Sequence, residues 1–398
     1  MSRYRRENLE TRVERERNEI FDALGRLDRR SFLRVAAASW AAATAAGAPF
    51  GAGAFQALRF VGARENGEKS GKSAGTSVAS GSSGDANGGS ANVGVRVAYI
   101  SDSHLVVKEK NDRFANALVR AVADVNALAE KPDFVIYGGD LAQLGSPEEL
   151  RLGRDILSDL DAPLKIIVGE HDWHLDLGDG WRSLFGEPFW SFDLNGVRFV
   201  GIMSVLEDDF WTARRMTPIE RMQTVAGLDN RVQSRFKIGA SGLRWLEETL
   251  ADCPNEKPVV VFSHSPLYSL HRPWNFGNED AEEARRILSR FDAATVIHGH
   301  THQLLTHREG NIAFHGLLAT AWPWPYPPTG VPELTVEMNR PDPFNPNDGC
   351  GDGELRISPD GLVDKIYRFW NREPILVPAA YVAGDASLRP KRPNLPSY

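Results

Sequence analysis

Three observations predict an α/β (α+β) domain built from two mixed β-sheets packed face to face, with helices on the outer sides. Short apolar runs alternate with amphipathic stretches from Val95 to Phe291, the signature of repeated βα units. Beyond Leu304 the pattern changes to short runs joined by turns, which read as antiparallel strands. Five of the apolar runs end in clusters rich in Asp, Glu and His, so polar chemistry collects where buried strands stop. At 398 residues, with 42% apolar and 25% charged side chains, the chain can build a sizeable core without disulfides.

The elements follow in order. Val95–Ile100 reads as a buried strand, and residues 111–130 have helical spacing through Phe114, Leu118, Val122, Val125 and Leu128. Phe134–Tyr137 is a strand, 147–160 a helix and 164–168 a third strand. Residues 190–194 and 197–203 flank Asn195-Gly196, a strong two-residue hairpin signal. Residues 206–240, polar and Arg-rich, read as an insertion over the site. A helix at 243–250, a strand at 259–262, a helix at 280–291 and a strand at 295–297 lead into His298-Gly299-His300-Thr301-His302. Residues 304–307, 312–318, 354–357 and 363–369 close as strands, placing a folded domain at 95–370 and a C-terminal tail at 371–398.

The amino-terminal quarter is different in kind. Residues 1–34 hold ten arginines against seven acidic residues, leaving −10 of charge on the remainder of a chain whose total is −7. That acidic body argues against a nucleic-acid surface. Arg29-Arg30 before Phe32-Leu33 and an uncharged Ala-rich run to Leu58 resemble a twin-arginine export signal, here with a long polar N-region. Residues 1–61 are therefore read as that signal, with the export machinery as a partner and a periplasmic or extracellular destination. The alternative is a retained membrane anchor at 35–58, long enough to span but poor in strongly apolar residues. Residues 62–94 are rich in Gly, Ser, Ala and Asn and are expected to be a disordered tether. Cys253 and Cys350 neither require nor exclude a disulfide, and without a CxxC pair a thiolate zinc site is not expected.

Binding crevices of open α/β sheets form outside the carboxyl ends of the strands. Asp102-Ser103-His104, Gly138-Gly139-Asp140, Gly169-Glu170-His171-Asp172, Ser263-His264 and His300-Thr301-His302 all fall there. Asp102, His104, Asp140, Glu170, His264, His300 and His302 make seven candidate ligands, a set suited to two divalent ions sharing a bridge. His174, His271, His307 and His315 read as surface polar residues, and His298 stops one residue short of the final pair. Trp322, Trp324 and Tyr326 read as loop packing, and Arg214, Arg215, Arg221 and Arg231 as a solvated mixed face.

These motifs, in this order, resemble those of the calcineurin-like metallophosphoesterases: DxH, GDxx, GNH(D/E), a lone His and GHxH. The resemblance covers Val95 to Leu318. It implies two divalent metal ions (Mn, Fe or Zn), one held by Asp102, His104, Asp140 and His302, the other by Asp140, Glu170, His264 and His300. It also implies His171 beside the leaving group as catalytic acid, acting on a small phosphoester through a metal-activated hydroxide. Gly139-Asp140-Leu141-Ala142-Gln143 resembles the bacterial cyclic-nucleotide phosphodiesterase branch. Glu170 departs from the family's Asn: it adds charge and removes a donor. A phosphodiesterase is the function expected; a weakly active or non-catalytic metal-dependent binding protein on the same fold is the alternative.

Overall fold

The computed structural model describes residues 94–107, 112–173, 175–206, 236–271, 274, 276–339, 341–342 and 344–392. The residues read as an export signal, nearly all of those read as a tether, His174, residues 207–235 with their arginines, and the last six residues lie outside the described residues.

Two six-stranded mixed sheets form the core. The first is assembled around β1 (Val95–Ile100), β2 (Phe134–Tyr137) and β3 (Leu164–Ile166), which run parallel. The second contains β4 (Trp190–Leu194), β5 (Val197–Ile202), β6 (Val259–Ser263), β7 (Ala294–His298), β8 (Thr306–Glu309) and β9 (Ile312–Gly316). Here β5, β6, β7 and β9 are parallel, with β4 and β8 as antiparallel edges. The first sheet is completed by antiparallel β10 (Gly351–Ile357), β11 (Val363–Phe369) and β12 (Ile375–Val377). At the β4–β5 turn, Asn195 and Gly196 both take positive φ, 47° and 84°, as the Asn-Gly pair demands.

The inner faces meet in one apolar layer that includes Val97, Tyr99, Phe134 and Leu355 from the first sheet and Phe199, Val260 and Phe262 from the second. Phe134 packs edge-on against Phe199 at 5.1 Å, and Tyr367 donates across the layer to the Gly316 carbonyl at 3.0 Å. Outside the first sheet lie α1 (Asp112–Asn126) and α2 (Pro147–Leu157). Helix α1 buries Phe114, Ala117, Leu118, Ala121, Val122 and Val125, the three-and-four spacing of one helical face. Two short helices, α3 (Glu170–Trp173) and α4 (Asp179–Phe185), follow β3. Outside the second sheet, α5 (Gly239–Leu250) and α6 (Ala281–Leu288) cover Val261, Val296 and their neighbours.

Three expectations change. The folded body extends past residue 370: β12 and α7 (Ala379–Val382) bury Ile375, Val377, Tyr381 and Val382 against the inner layer. Residues 236–240 belong to that body as well, because Phe236 is buried and α5 begins at Gly239. His315 is not a surface residue; it points inward from β9 and is fully buried. Lys365 also enters the inner layer, its Nζ 4.0 Å from the Tyr99 ring centre and without a hydrogen-bond partner. Cys253 and Cys350 are both buried and free. No helix among the described residues is long and apolar enough to cross a membrane.

Candidate metal centre

All seven expected ligands are buried at the carboxyl ends of β1, β2, β3, β6 and β7. Their backbones are unusual. Of seven non-glycine residues with positive φ among the described residues, five are Asp102, His104, Asp140, His300 and His302. Left-handed backbone costs an L-residue on the order of 1–3 kcal/mol, so it persists where surrounding structure imposes it, commonly at functional sites. Two chain segments impose it here: His104 N–H donates to Asp140 O at 3.0 Å and Leu105 N–H to Leu141 O at 2.8 Å. Glycine is required where these segments crowd together. A Cβ on Gly169 would strike Asp140 Oδ1, and one on Gly139 would strike the His264 ring.

The side chains converge in two groups. Asp140, Glu170, His264 and His300 bring one ligand atom each to within 4.8 Å of one another, and so do Asp102, His104 and His302. Asp140 Oδ2 lies between the groups, 3.2 Å from His264 Nε2 and 3.7 Å from His104 Nε2. His171 joins His104 and Asp140 in a third such grouping, and its backbone N–H fixes Asp140 Oδ1 at 3.0 Å.

Most imidazoles are locked by hydrogen bonds on the far side of the ring. His264 Nδ1 donates to Gly138 O and His302 Nδ1 to Trp322 O, both at 2.7 Å, leaving each Nε2 lone pair facing inward. His300 is reversed, presenting Nδ1 to Glu170 Oε1 at 2.7 Å. A carbonyl partner fixes the tautomer, the arrangement usual for metal-binding histidine.

Burial by itself would raise the Asp102, Asp140 and Glu170 carboxyls, and for Asp140 the Glu170 charge adds to this. Neighbouring imidazoles reverse the effect: His302 and His264 at Asp102, His264 and His171 at Asp140, His300 and His264 at Glu170 hold all three below the usual range. Burial and nearby His171 push His104 well below its normal value, leaving it a neutral donor. Despite burial, Asp140 and Glu170 raise His264, and Glu170 raises His300.

The residues fit a pair of divalent cations. Glu170 Oε2 and His264 Nε2 are buried and lie 2.9 Å apart, yet neither makes a hydrogen bond. Two orphaned lone-pair atoms aimed at one point are costly unless a cation satisfies both. Carboxylate oxygen mixed with imidazole nitrogen suits first-row divalent ions.

Several functional neighbours were not assigned from sequence. Trp322 lies 4.5 Å from His104 and 5.3 Å from His302 between ring centres, besides accepting from His302 through its carbonyl. Asp172 accepts from Ala142 N–H and Gly169 N–H, joining two ligand loops; burial and Asp140 push its carboxyl up to about 7. Phe236 and Phe276 wedge edge-on against His300. His298 takes no part in the ligand groups: its Nε2 faces the Tyr268 hydroxyl at 3.2 Å.

A two-sheet sandwich with helices outside and paired carboxylate–imidazole groups at its strand ends is the framework of a dinuclear metallohydrolase. The chain belongs to the calcineurin-like phosphoesterase family, which it matches over residues 95–304. It is a metallophosphoesterase, of a family that uses two divalent metals. It is 29% identical over 245 residues to the glycerophosphodiester phosphodiesterase GpdQ of Enterobacter lignolyticus, covering 58% of this chain and 79% of that one. A probable cyclic nucleotide phosphodiesterase of Synechococcus is 26% identical, covering 61% of this chain and 87% of the relative. Among solved structures, a dimetal phosphatase from Danio rerio overlaps 71% of this chain and 95% of its own at 14% identity, with a TM-score of 0.45.

Proposed function

We propose that the chain is an exported phosphodiesterase, with Asp102, His104 and His302 holding one divalent ion, Glu170, His264 and His300 the other, and Asp140 shared between them. The observation that carries the reading is the placement of Asp140 Oδ2 between two buried ligand groups. Two divalent ions, when bound, supply Lewis acidity that makes water nucleophilic near neutral pH and offsets charge on the phosphoryl oxygens.

The protein's own residues do the rest. The Gln143 carbonyl accepts from His171 Nδ1 at 2.7 Å, so the imidazolium form would offer its second proton, on Nε2, to a leaving oxygen. His171 stands edge-on to His104, with ring centres 4.7 Å apart, which places this acid at the rim of the first ligand group. Burial of every ligand excludes bulk water and strengthens the field at the reacting phosphorus.

Diester preference rests on charge. Asp102, Asp140 and Glu170 bring three negative charges to a site designed for four positive ones, and a monoanionic diester is repelled less than a dianionic monoester. The phosphodiesterase names of several relatives agree with this. Export rests on Arg29-Arg30 and the Ala-rich run that follows, with residues 62–94 as the tether.

The test is turnover of an aryl phosphodiester and its matched monoester by the purified protein with added manganese. Metal-dependent hydrolysis favouring the diester supports the proposal. Two bound ions with no turnover of either ester would instead favour the binding or sensing alternative, with Glu170 as the cause.

A further inference from the structure

Three inward-facing Nε2 atoms, those of His104, His264 and His302, each depend on what holds Nδ1. For His264 and His302 the partner is a backbone carbonyl, which no substitution removes. For His104 it is a side chain: Gln143 Oε1, at 2.9 Å. An amide oxygen only accepts, so Nδ1 must carry the proton and the Nε2 lone pair must face the site. The opposite amide orientation would force the proton onto Nε2, 3.1 Å from His302 Nε2, where it blocks the ligand position.

The same residue reaches the catalytic acid. The Gln143 carbonyl accepts from His171 Nδ1, and its N–H donates to Leu105 O at 2.9 Å, adjoining His104. The turn after Gln143 is pinned in its place, because Glu149 Oε2 accepts from Leu144 N–H at 2.9 Å and from Ser146 N–H at 3.2 Å. Three ligand loops therefore meet at one half-buried residue that is not itself among the ligand groups.

We propose that Gln143 is a positioning residue: its side chain sets the tautomer of His104, and its main chain holds His171 in register with that ligand. This rests on His104 being a metal ligand, as proposed above. Removing the acceptor frees the His104 ring to change tautomer and rotate. Losing such a supporting contact lowers metal affinity about 10–100-fold, here at one of two sites.

The test uses the full chain with nitrogen-15 histidine. Ring-nitrogen shifts of metal-free protein report the His104 tautomer, with the His104→Gln variant identifying the signal. Cobalt titration followed by its visible absorption reports the two binding steps. In Gln143→Leu, of nearly equal volume, His104 should become a mixture of tautomers, and one cobalt step should weaken about 10–100-fold while the other holds within about threefold. Gln143→Glu retains an acceptor oxygen and should restore both readings. A parent-like tautomer in Gln143→Leu, or equal weakening of both steps with a fallen melting temperature, overturns the proposal. A parent chain that binds no cobalt would overturn the metal assignment alone, and the tautomer reading would still decide the role of Gln143.

Discussion

Replacing Glu170 by asparagine tests how ligand charge selects the substrate. The Glu170 carboxylate sits 2.7 Å from His300 Nδ1 and 2.9 Å from His264 Nε2, fully buried, so little solvent screens it. Two divalent ions with Asp102, Asp140 and Glu170 leave the site one positive charge; with asparagine at 170 they leave two. A phosphoryl group held about 6 Å from that carboxylate meets roughly 3 kcal/mol per unit of charge at an effective dielectric near 20. A monoester carries one more negative charge than a diester, so the substitution should shift the diester-to-monoester ratio of kcat/KM toward monoesters by about 10–100-fold, allowing for partial screening. The second metal should bind more weakly, so the assay uses matched aryl esters at saturating manganese. An unchanged ratio, or a shift toward diesters, would refute the charge argument.

Three further outcomes are expected. His171→Ala should retain near-normal metal content and lose about 10²–10⁴-fold in rate for poor leaving groups, with a much smaller loss for nitrophenyl esters that depart unprotonated; equal losses would indicate a role other than proton donation. Burial holds the Lys365 amine well below the usual lysine range, so over the window from its folded value up to the unfolded one the unfolded chain binds an extra proton and stability falls as pH drops. Lys365→Met should therefore stabilise the fold by about 1–3 kcal/mol at pH 7 and flatten the rise in stability toward alkaline pH; urea midpoints at pH 7 and 9 measure both, and an unstabilised variant contradicts the orphaned amine. Changing Arg29 and Arg30 together to lysine should leave precursor in the cytoplasm, while unchanged export by cell fractionation would show that another route is used.

Much of this was legible because buried strands are apolar runs with sharp ends. Residues 134–137 and 363–369 have the same bounds in sequence and structure, and the ligand motifs sit where those runs stop. What escaped depends on contacts between distant segments. Strand β12 has only three residues, and its pairing with β11 makes it a strand. Period-two alternation in β11 puts Lys365 on the same inward face as Val363 and Tyr367, against the usual preference of its charge. Trp322 lies 20 residues beyond His302 in a Pro-rich segment, and its carbonyl contact has no sequence signature. Gln143 was visible only as part of a motif; its two-sided hold on His104 and His171 needs three loops in place.

The central claim is that seven side chains hold two ions through a shared carboxylate, and Asp140 is where it is most exposed to test. Metal analysis of the full chain after equilibration with manganese should find two ions per molecule in the parent. The Asp140→Asn chain should hold fewer than two and lose diesterase activity in parallel, because two cations are left without their common anion. Two ions per molecule with undiminished turnover in Asp140→Asn would contradict the account.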